Sequence, residues 1–179
     1  MLRGCERNPD WFIGLMRTLY LLRHAKSSWK DQSLRDFDRP LKKRGRKAAE
    51  AIGRFIRSEN LSLPLVISSP ALRARETTEI VLSSAGLKPE VHYDERIYEA
   101  DLRRLLQVIA EIEDEKDAAL LVGHNPGMEE LLQFLTGQSR RMATAALTKI
   151  TIEGHKWSRV GEGKASLDWL VTPKDLSEA

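Results

Sequence analysis

The sequence predicts an α/β fold, a three-layer sandwich with a mainly parallel central sheet. Three observations carry that reading. Short apolar runs bounded by turn residues recur along the chain, as in Leu19-Tyr20-Leu21-Leu22 and Ala118-Ala119-Leu120-Leu121-Val122. Stretches with apolar residues at helical spacing lie between them. No Pro/Gly/Ser-rich linker or internal repeat divides the 179 residues, which suit one substantial core. Strands alternating with helices in this way build a parallel sheet covered on both faces.

The elements follow in order. Arg17 to Arg23 reads as a first strand, and Lys26 to Arg39 as a polar loop. Pro40 opens a helix to about Ser58, with Ala48, Ala49, Ile52, Phe55 and Ile56 on its inner face. Leu65 to Ser68 is a second strand. Ser69-Pro70 reads as a helix start, Ser as cap and Pro in the first helical position. Ala71, Ala74, Thr78, Val81 and Ala85 stripe that helix, and Gly86 ends it. Val91 to Tyr93 is a short edge strand. Leu102, Leu105, Leu106, Ile109 and Ile112 mark a further helix before the strand Ala118–Val122. Asn125-Pro126 starts a helix to about Leu135, closed by Gly137. Residues 146–152 and 166–171 alternate as late strands joined through Glu153-Gly154-His155-Lys156.

The bulk properties exclude several classes. Net charge is +3 and the pI is near 9.1, which suits an anionic substrate without demanding nucleic acid. Cys5 is the lone cysteine, so no internal disulfide forms, and a reducing, cytoplasmic setting is expected. No apolar run approaches the roughly 20 residues of a membrane span. Met1 to Leu15 makes a poor signal peptide. Residues 1–16 read as an appended arm, or Met16 as the natural start, leaving 17–179 as one domain. No zinc-type spacing, P-loop, dinucleotide fingerprint or acidic metal cluster is present, and no cofactor is expected. His24 and His124 lack an evident third partner for a metal.

The chemistry concentrates at strand ends. Ligands of such sheets bind outside the carboxyl ends of the strands. Arg23 and His24 follow the first strand, Ser68 and Ser69 the second, and His124 a third, while Arg73 lies in a first helical turn. Guanidinium groups match phosphate oxygens, helix N-termini favour anions, and a neutral imidazole is a nucleophile near pH 7. Each residue alone has an ordinary structural explanation. Together at one edge they point to a phosphoryl group.

The motifs resemble a known family. Arg23-His24-Ala25 is similar to the Arg-His-Gly signature of the histidine phosphatase, or phosphoglycerate mutase-like, superfamily. Leu22-Arg23-His24-Ala25-Lys26-Ser27-Ser28-Trp29, Asp38-Arg39-Pro40-Leu41 and Arg44-Gly45 resemble its SixA-type phosphohistidine phosphatase branch. Ser68 to Thr77, Val122 to Gly127 and Thr172-Pro173-Lys174-Asp175-Leu176 match further segments, so the resemblance runs from about Arg17 to Leu176.

It implies a phosphoglycerate mutase-like fold and a metal-independent phosphatase with a phosphohistidine intermediate. His24 would be the nucleophile. Arg23, Arg73 and His124 would bind phosphate, with His124 also catalytic. Glu99 is the candidate general acid, with Glu95 behind it. The implied partner is a phosphorylated protein, a histidine phosphotransfer domain being one candidate. Ala25 replaces the family's usual glycine and calls for ordinary backbone geometry or slightly more room. Imidazole leaves more readily than an alkoxide, so a phosphohistidine phosphatase tolerates a weak or absent acid. Short connections suggest an open site suited to phosphate displayed on a protein.

Arg39, Lys42, Lys43, Arg44, Arg46 and Lys47 form a basic run, read as a solvated face or as a rim for an acidic partner. Lys26 and Ser27 either touch phosphate or shape the loop, and Trp29 lines the pocket or packs. His92 and His155 are expected to be non-catalytic. Two rival functions stand beside the main one: a phosphatase of small phosphoesters, and a module that binds phosphorylated ligands without turnover.

Overall fold

The computed structural model describes residues 16–154 and 156–177. The arm expected over residues 1–16 lies outside them except for Met16, which opens the first strand, and so does His155. The elements run β1 (Met16–Arg23), α1 (Lys43–Ser58), β2 (Leu65–Ser68), α2 (Leu72–Ala85), β3 (Glu90–Tyr93), α3 (Leu102–Ala110), β4 (Ala118–Gly123), α4 (Gly127–Thr136), β5 (Leu147–Glu153) and β6 (Ala165–Val171).

One sheet holds all six strands in the order β3-β2-β4-β1-β5-β6. β3, β2, β4 and β1 are parallel neighbours, and β5 and β6 add antiparallel pairings. The central strands are apolar throughout because both faces are covered. Alternate residues divide between two cores: Leu19, Leu21, Ala119 and Leu121 pack with α3 and α4, while Tyr20, Leu22, Leu120 and Val122 pack with α1 and α2. These are the three expected layers. Gly53 sets the α1–α2 spacing, since a Cβ there would lie 2.5 Å from both Ser84 Cβ and the Val81 carbonyl.

Several boundaries differ from the sequence reading. α1 begins at Lys43, not Pro40, because Leu41 first bridges to Ser27 and the Pro40 carbonyl takes the Ser28 N–H. α2 begins at Leu72. Ser69 does not cap it: its hydroxyl accepts the Ala71 N–H at 3.3 Å and bonds His124, so residues 69–71 form a loop. The link between the late strands is longer than four residues. It contains a 3-10 turn at Trp157–Arg159, whose Trp157 is fully buried with its ring N–H on the Lys116 carbonyl.

Register positions the site. Ser68 lies beside Val122, which lies beside Leu22, and Arg23 lies beside Gly123. The residues just past these ends, Ser69, His124 and His24, therefore emerge side by side. The His24 N–H donates to the Gly123 carbonyl and the Ser69 N–H to the Val122 carbonyl, both at 3.0 Å.

Candidate active site

His24 and His124 face each other with ring centroids 4.9 Å apart. The nitrogen Nδ1 of His24 sits 2.8 Å from the Ala25 carbonyl. A carbonyl only accepts, so Nδ1 carries the proton and Nε2 keeps its lone pair. Burial, reinforced by the charges of Arg73, Arg23 and Arg39, lowers the His24 pKa to about 4. The imidazole is therefore neutral near pH 7. Burial is the larger cause, ahead of the arginines that the sequence alone singles out.

Ala25 is fully buried in ordinary backbone geometry, so its methyl is accommodated. Its N–H donates to Thr77 Oγ at 3.0 Å, and that hydroxyl donates to the Arg73 carbonyl at 2.6 Å. One threonine on α2 thus ties the peptide beside His24 to the turn carrying Arg73. Behind His24, the Ala145 N–H bonds the carbonyls of Arg23 and His24.

Arg23 donates from Nη1 to the Met142 carbonyl at 2.8 Å. Met142 is itself fixed by Glu129 Oε1 on its N–H and by the Asn125 amide on its carbonyl. Arg23 Nε and His124 Nδ1 are buried without a hydrogen-bond partner. His124 Nε2 pairs with Ser69 Oγ at 2.8 Å. Its pKa falls to about 3, chiefly through burial and then through His24 and Arg73, against the opposing pull of Asp36.

Arg73 is 5% exposed and is turned by one residue: it bonds the Asp36 carbonyl at 2.6 Å and the Asp36 carboxylate at 2.8 Å. Asp36 also accepts from Arg39 Nη1 at 2.6 Å and from the Tyr98 hydroxyl at 3.0 Å. Burial alone would raise the Asp36 pKa. The bonds from Arg39 and Tyr98 and the Arg73 charge outweigh it and bring the pKa to about 2. Tyr98 stands edge-on to His124 at 5.7 Å and to Phe37 at 5.1 Å. Arg35, Asp36, Phe37, Glu95 and Tyr98 line an open cleft at this edge of the site.

The structure thus brings Arg23, His24, Arg73 and His124 to one edge, as expected. Glu99 and Glu95 are exposed, and Glu99 holds a left-handed backbone at φ 48° next to Tyr98. Arg39 is a correction: it is 5% exposed and belongs to neither a solvated face nor a rim. Its guanidinium lies 3.2 Å from the Trp29 ring and bonds Ser27 Oγ, the Ser28 carbonyl and Asp36. Ser27 therefore shapes the loop, and Trp29 covers Arg39 while 67% exposed. Lys43, Arg44, Arg46 and Lys47 are exposed as expected. His92 lies on the edge strand paired with Glu90. Asp36 and Tyr98 are the site residues that sequence reasoning missed. The available signal was an aspartate three residues before an arginine inside a polar loop, a spacing at which the two side chains meet.

Among the described residues, no three His, Cys, Asp or Glu side chains gather to hold a metal, and no helix is long and apolar enough to cross a membrane.

Residues 19–105 match the sequence profile of the Histidine phosphatase superfamily (branch 1). An uncharacterized chloroplast protein of Arabidopsis thaliana is 33% identical over 172 residues, covering 89% of this chain and 79% of the relative. A Mycobacterium leprae protein is 31% identical over 166 residues, covering 86% of this chain and all of its own length. Among solved structures, SixA from Agrobacterium tumefaciens aligns with a TM-score of 0.75 at 29% identity, covering 88% of this chain and 99% of its own. SixA from Nakamurella multipartitia aligns with a TM-score of 0.78 at 26% identity, over 88% and 96% of the two chains. The strand-end histidines and arginines thus sit in a fold shared with SixA, and the chain belongs to the histidine phosphatase superfamily, in its SixA-type form.

Proposed function

We propose that this protein is a metal-independent phosphatase that carries the phosphoryl group on His24 and acts on phosphohistidine in proteins. The observation that carries the reading is the tautomer of His24: Nδ1–H held by the Ala25 carbonyl, Nε2 unprotonated, on a ring that is neutral near pH 7. Nε2 attacks phosphorus and the bond to the leaving group breaks. The ring becomes a phosphorylated imidazolium whose Nδ1–H still rests on the Ala25 carbonyl. Arg23, Arg73 and His124 stabilise charge on the phosphoryl oxygens. Water then attacks phosphorus, the P–Nε2 electron pair returns to His24, and phosphate leaves as its monoanion before ionising in solvent.

The SixA neighbours and the open cleft beside Tyr98 support a substrate displayed on a protein. Glu99 is the candidate acid for ester leaving groups, which need a proton more than imidazole does. The test is single-turnover dephosphorylation of a phosphohistidine protein beside a panel of phosphoesters, using wild type, His24→Ala and Glu99→Gln. The expected result is fastest cleavage of phosphohistidine, no turnover by His24→Ala and near-normal turnover by Glu99→Gln. Faster ester cleavage with collapse of Glu99→Gln would make the chain a metabolite phosphatase. Phosphate binding without turnover by wild type would make it a binding module.

A further inference from the structure

Asp36 has an acceptor position to spare. An ionised carboxylate offers about four lone-pair sites. Oδ2 takes Arg73 Nη2 and the Tyr98 hydroxyl, and Oδ1 takes Arg39 Nη1, which leaves one site on Oδ1. The side chain is 37% exposed and lines the open cleft with Arg35, Phe37, Glu95 and Tyr98. Asp36 therefore stands at a junction. On one side it orients the buried Arg73. On the other it lines the cleft beside Tyr98, whose ring stands edge-on to His124 at 5.7 Å. The walls there are the aromatic rings of Phe37 and Tyr98, a pairing that suits a flat, weakly cationic ring.

We propose that the free Oδ1 position of Asp36 receives the ring N–H of a phosphorylated imidazole, making this cleft a leaving-group subsite that favours phosphohistidine over phosphate esters. The inference rests on the proposed function and names the residue behind its selectivity. In the reacting form the substrate ring bears the phosphoryl group on one nitrogen and a proton on the other. When the P–N bond breaks, its electron pair stays on the nitrogen that held phosphorus. The ring leaves neutral, its other nitrogen still protonated, and no acid is required. Asp36 stabilises the protonated, reactive form by a charge-assisted hydrogen bond. An ester offers no such N–H, and its leaving oxygen gains negative charge, which a carboxylate opposes. Transfer then runs between two imidazoles, each with its far N–H on an oxygen: Ala25 for the enzyme, Asp36 for the substrate.

The test uses the full chain with three probes: phosphoimidazole, its N-methyl derivative lacking the ring N–H, and p-nitrophenyl phosphate, each corrected for spontaneous hydrolysis. Wild type should favour phosphoimidazole over the methylated probe by about 10-fold or more, the scale of one charge-assisted hydrogen bond. Asp36→Asn should erase that preference and lose about 10-fold more activity on phosphoimidazole than on p-nitrophenyl phosphate. Equal loss on all three probes would reduce Asp36 to a holder of Arg73 and overturn the inference while leaving the proposed function intact. Indifference of wild type to the methyl group would overturn it without any variant. Cleavage of p-nitrophenyl phosphate but not of phosphoimidazole by wild type would overturn the proposed function itself, and the subsite with it.

Discussion

Thr77→Val removes one hydroxyl and tests how the fold holds His24, the proposed nucleophile. Thr77 is fully buried, and its Oγ is the acceptor for the Ala25 N–H at 3.0 Å. Ala25 has no solvent exposure either, so water cannot replace the lost partner. Valine keeps the shape of threonine, which isolates the polar loss. An unpaired buried N–H costs about 1–3 kcal/mol. At roughly 2–4 °C per kcal/mol for a domain of this size, the melting temperature should fall by about 2–12 °C. Urea unfolding measures the change, with an unaltered slope showing that the unfolded ensemble is unchanged. Thr148→Val is the control. Thr148 is equally buried, but its Oγ has no hydrogen-bond partner, so removing it should leave stability unchanged or raise it by about 1 kcal/mol. The same chemical change should thus act in different directions at two sites. Loss of less than about 0.5 kcal/mol in Thr77→Val, or equal loss in both variants, would refute the reasoning. Turnover should also fall in Thr77→Val, because Ala25, whose carbonyl orients His24 Nδ1, loses the anchor on its N–H.

Four further outcomes are expected. NMR titration of His24 should show a neutral ring at pH 5.5, where an ordinary histidine is mostly protonated; a midpoint near 6.5 would contradict the burial argument. Because the folded pKa lies below the unfolded one, His24 contributes stability that is full above about pH 6.5 and is lost as pH falls through about 4; Asp36, held at about 2, adds a loss at still lower pH. Ser69→Ala should lower kcat about 10-fold by freeing His124 Nε2, and should also cost about 1–3 kcal/mol of stability because the buried Ala71 N–H and His124 Nε2 lose their shared partner; unchanged kcat would remove Ser69 from the site. Gly53→Ala should cost about 1–3 kcal/mol in chemical denaturation by forcing α1 from α2; a neutral result would show that the helices part easily.

The sheet and its two helical layers were legible because burial on both faces leaves a plain record: unbroken apolar strands and helical stripes. His24, His124 and Arg23 were legible because parallel strands deliver their ends to one edge, whatever lies between. Asp36 was not. It sits in a polar loop whose composition resembles any solvated loop, and its partners Arg73 and Tyr98 are 37 and 62 residues away. Arg39 was misplaced for a related reason. A cation in a basic run looks solvated until a carboxylate, a serine and an indole close around it. Ser69 looked like a helix cap because Ser-Pro usually is one, yet its hydroxyl serves His124 and the helix starts at Leu72.

The partner of His24 Nδ1 suits a site rich in arginine to the nucleophilic role proposed for His24. Cations hold phosphate, and they also oppose protonation of a nearby imidazole, which suits the ground state. The same cations oppose the imidazolium that, in the proposed reaction, would form once Nε2 takes the phosphoryl group. A carboxylate on Nδ1 would relieve the second problem and create a first, by raising the pKa toward neutrality and protonating Nε2 before substrate arrives. A backbone carbonyl is the intermediate choice. Its dipole fixes the tautomer and supports the phosphorylated ring, without the full charge that would protonate the free one. The carboxylate of the site is instead placed on Arg73, Arg39 and Tyr98, away from Nδ1. The two histidines of this edge are thus kept neutral by burial, and the negative charge that balances the arginines is left where a leaving imidazole can use it.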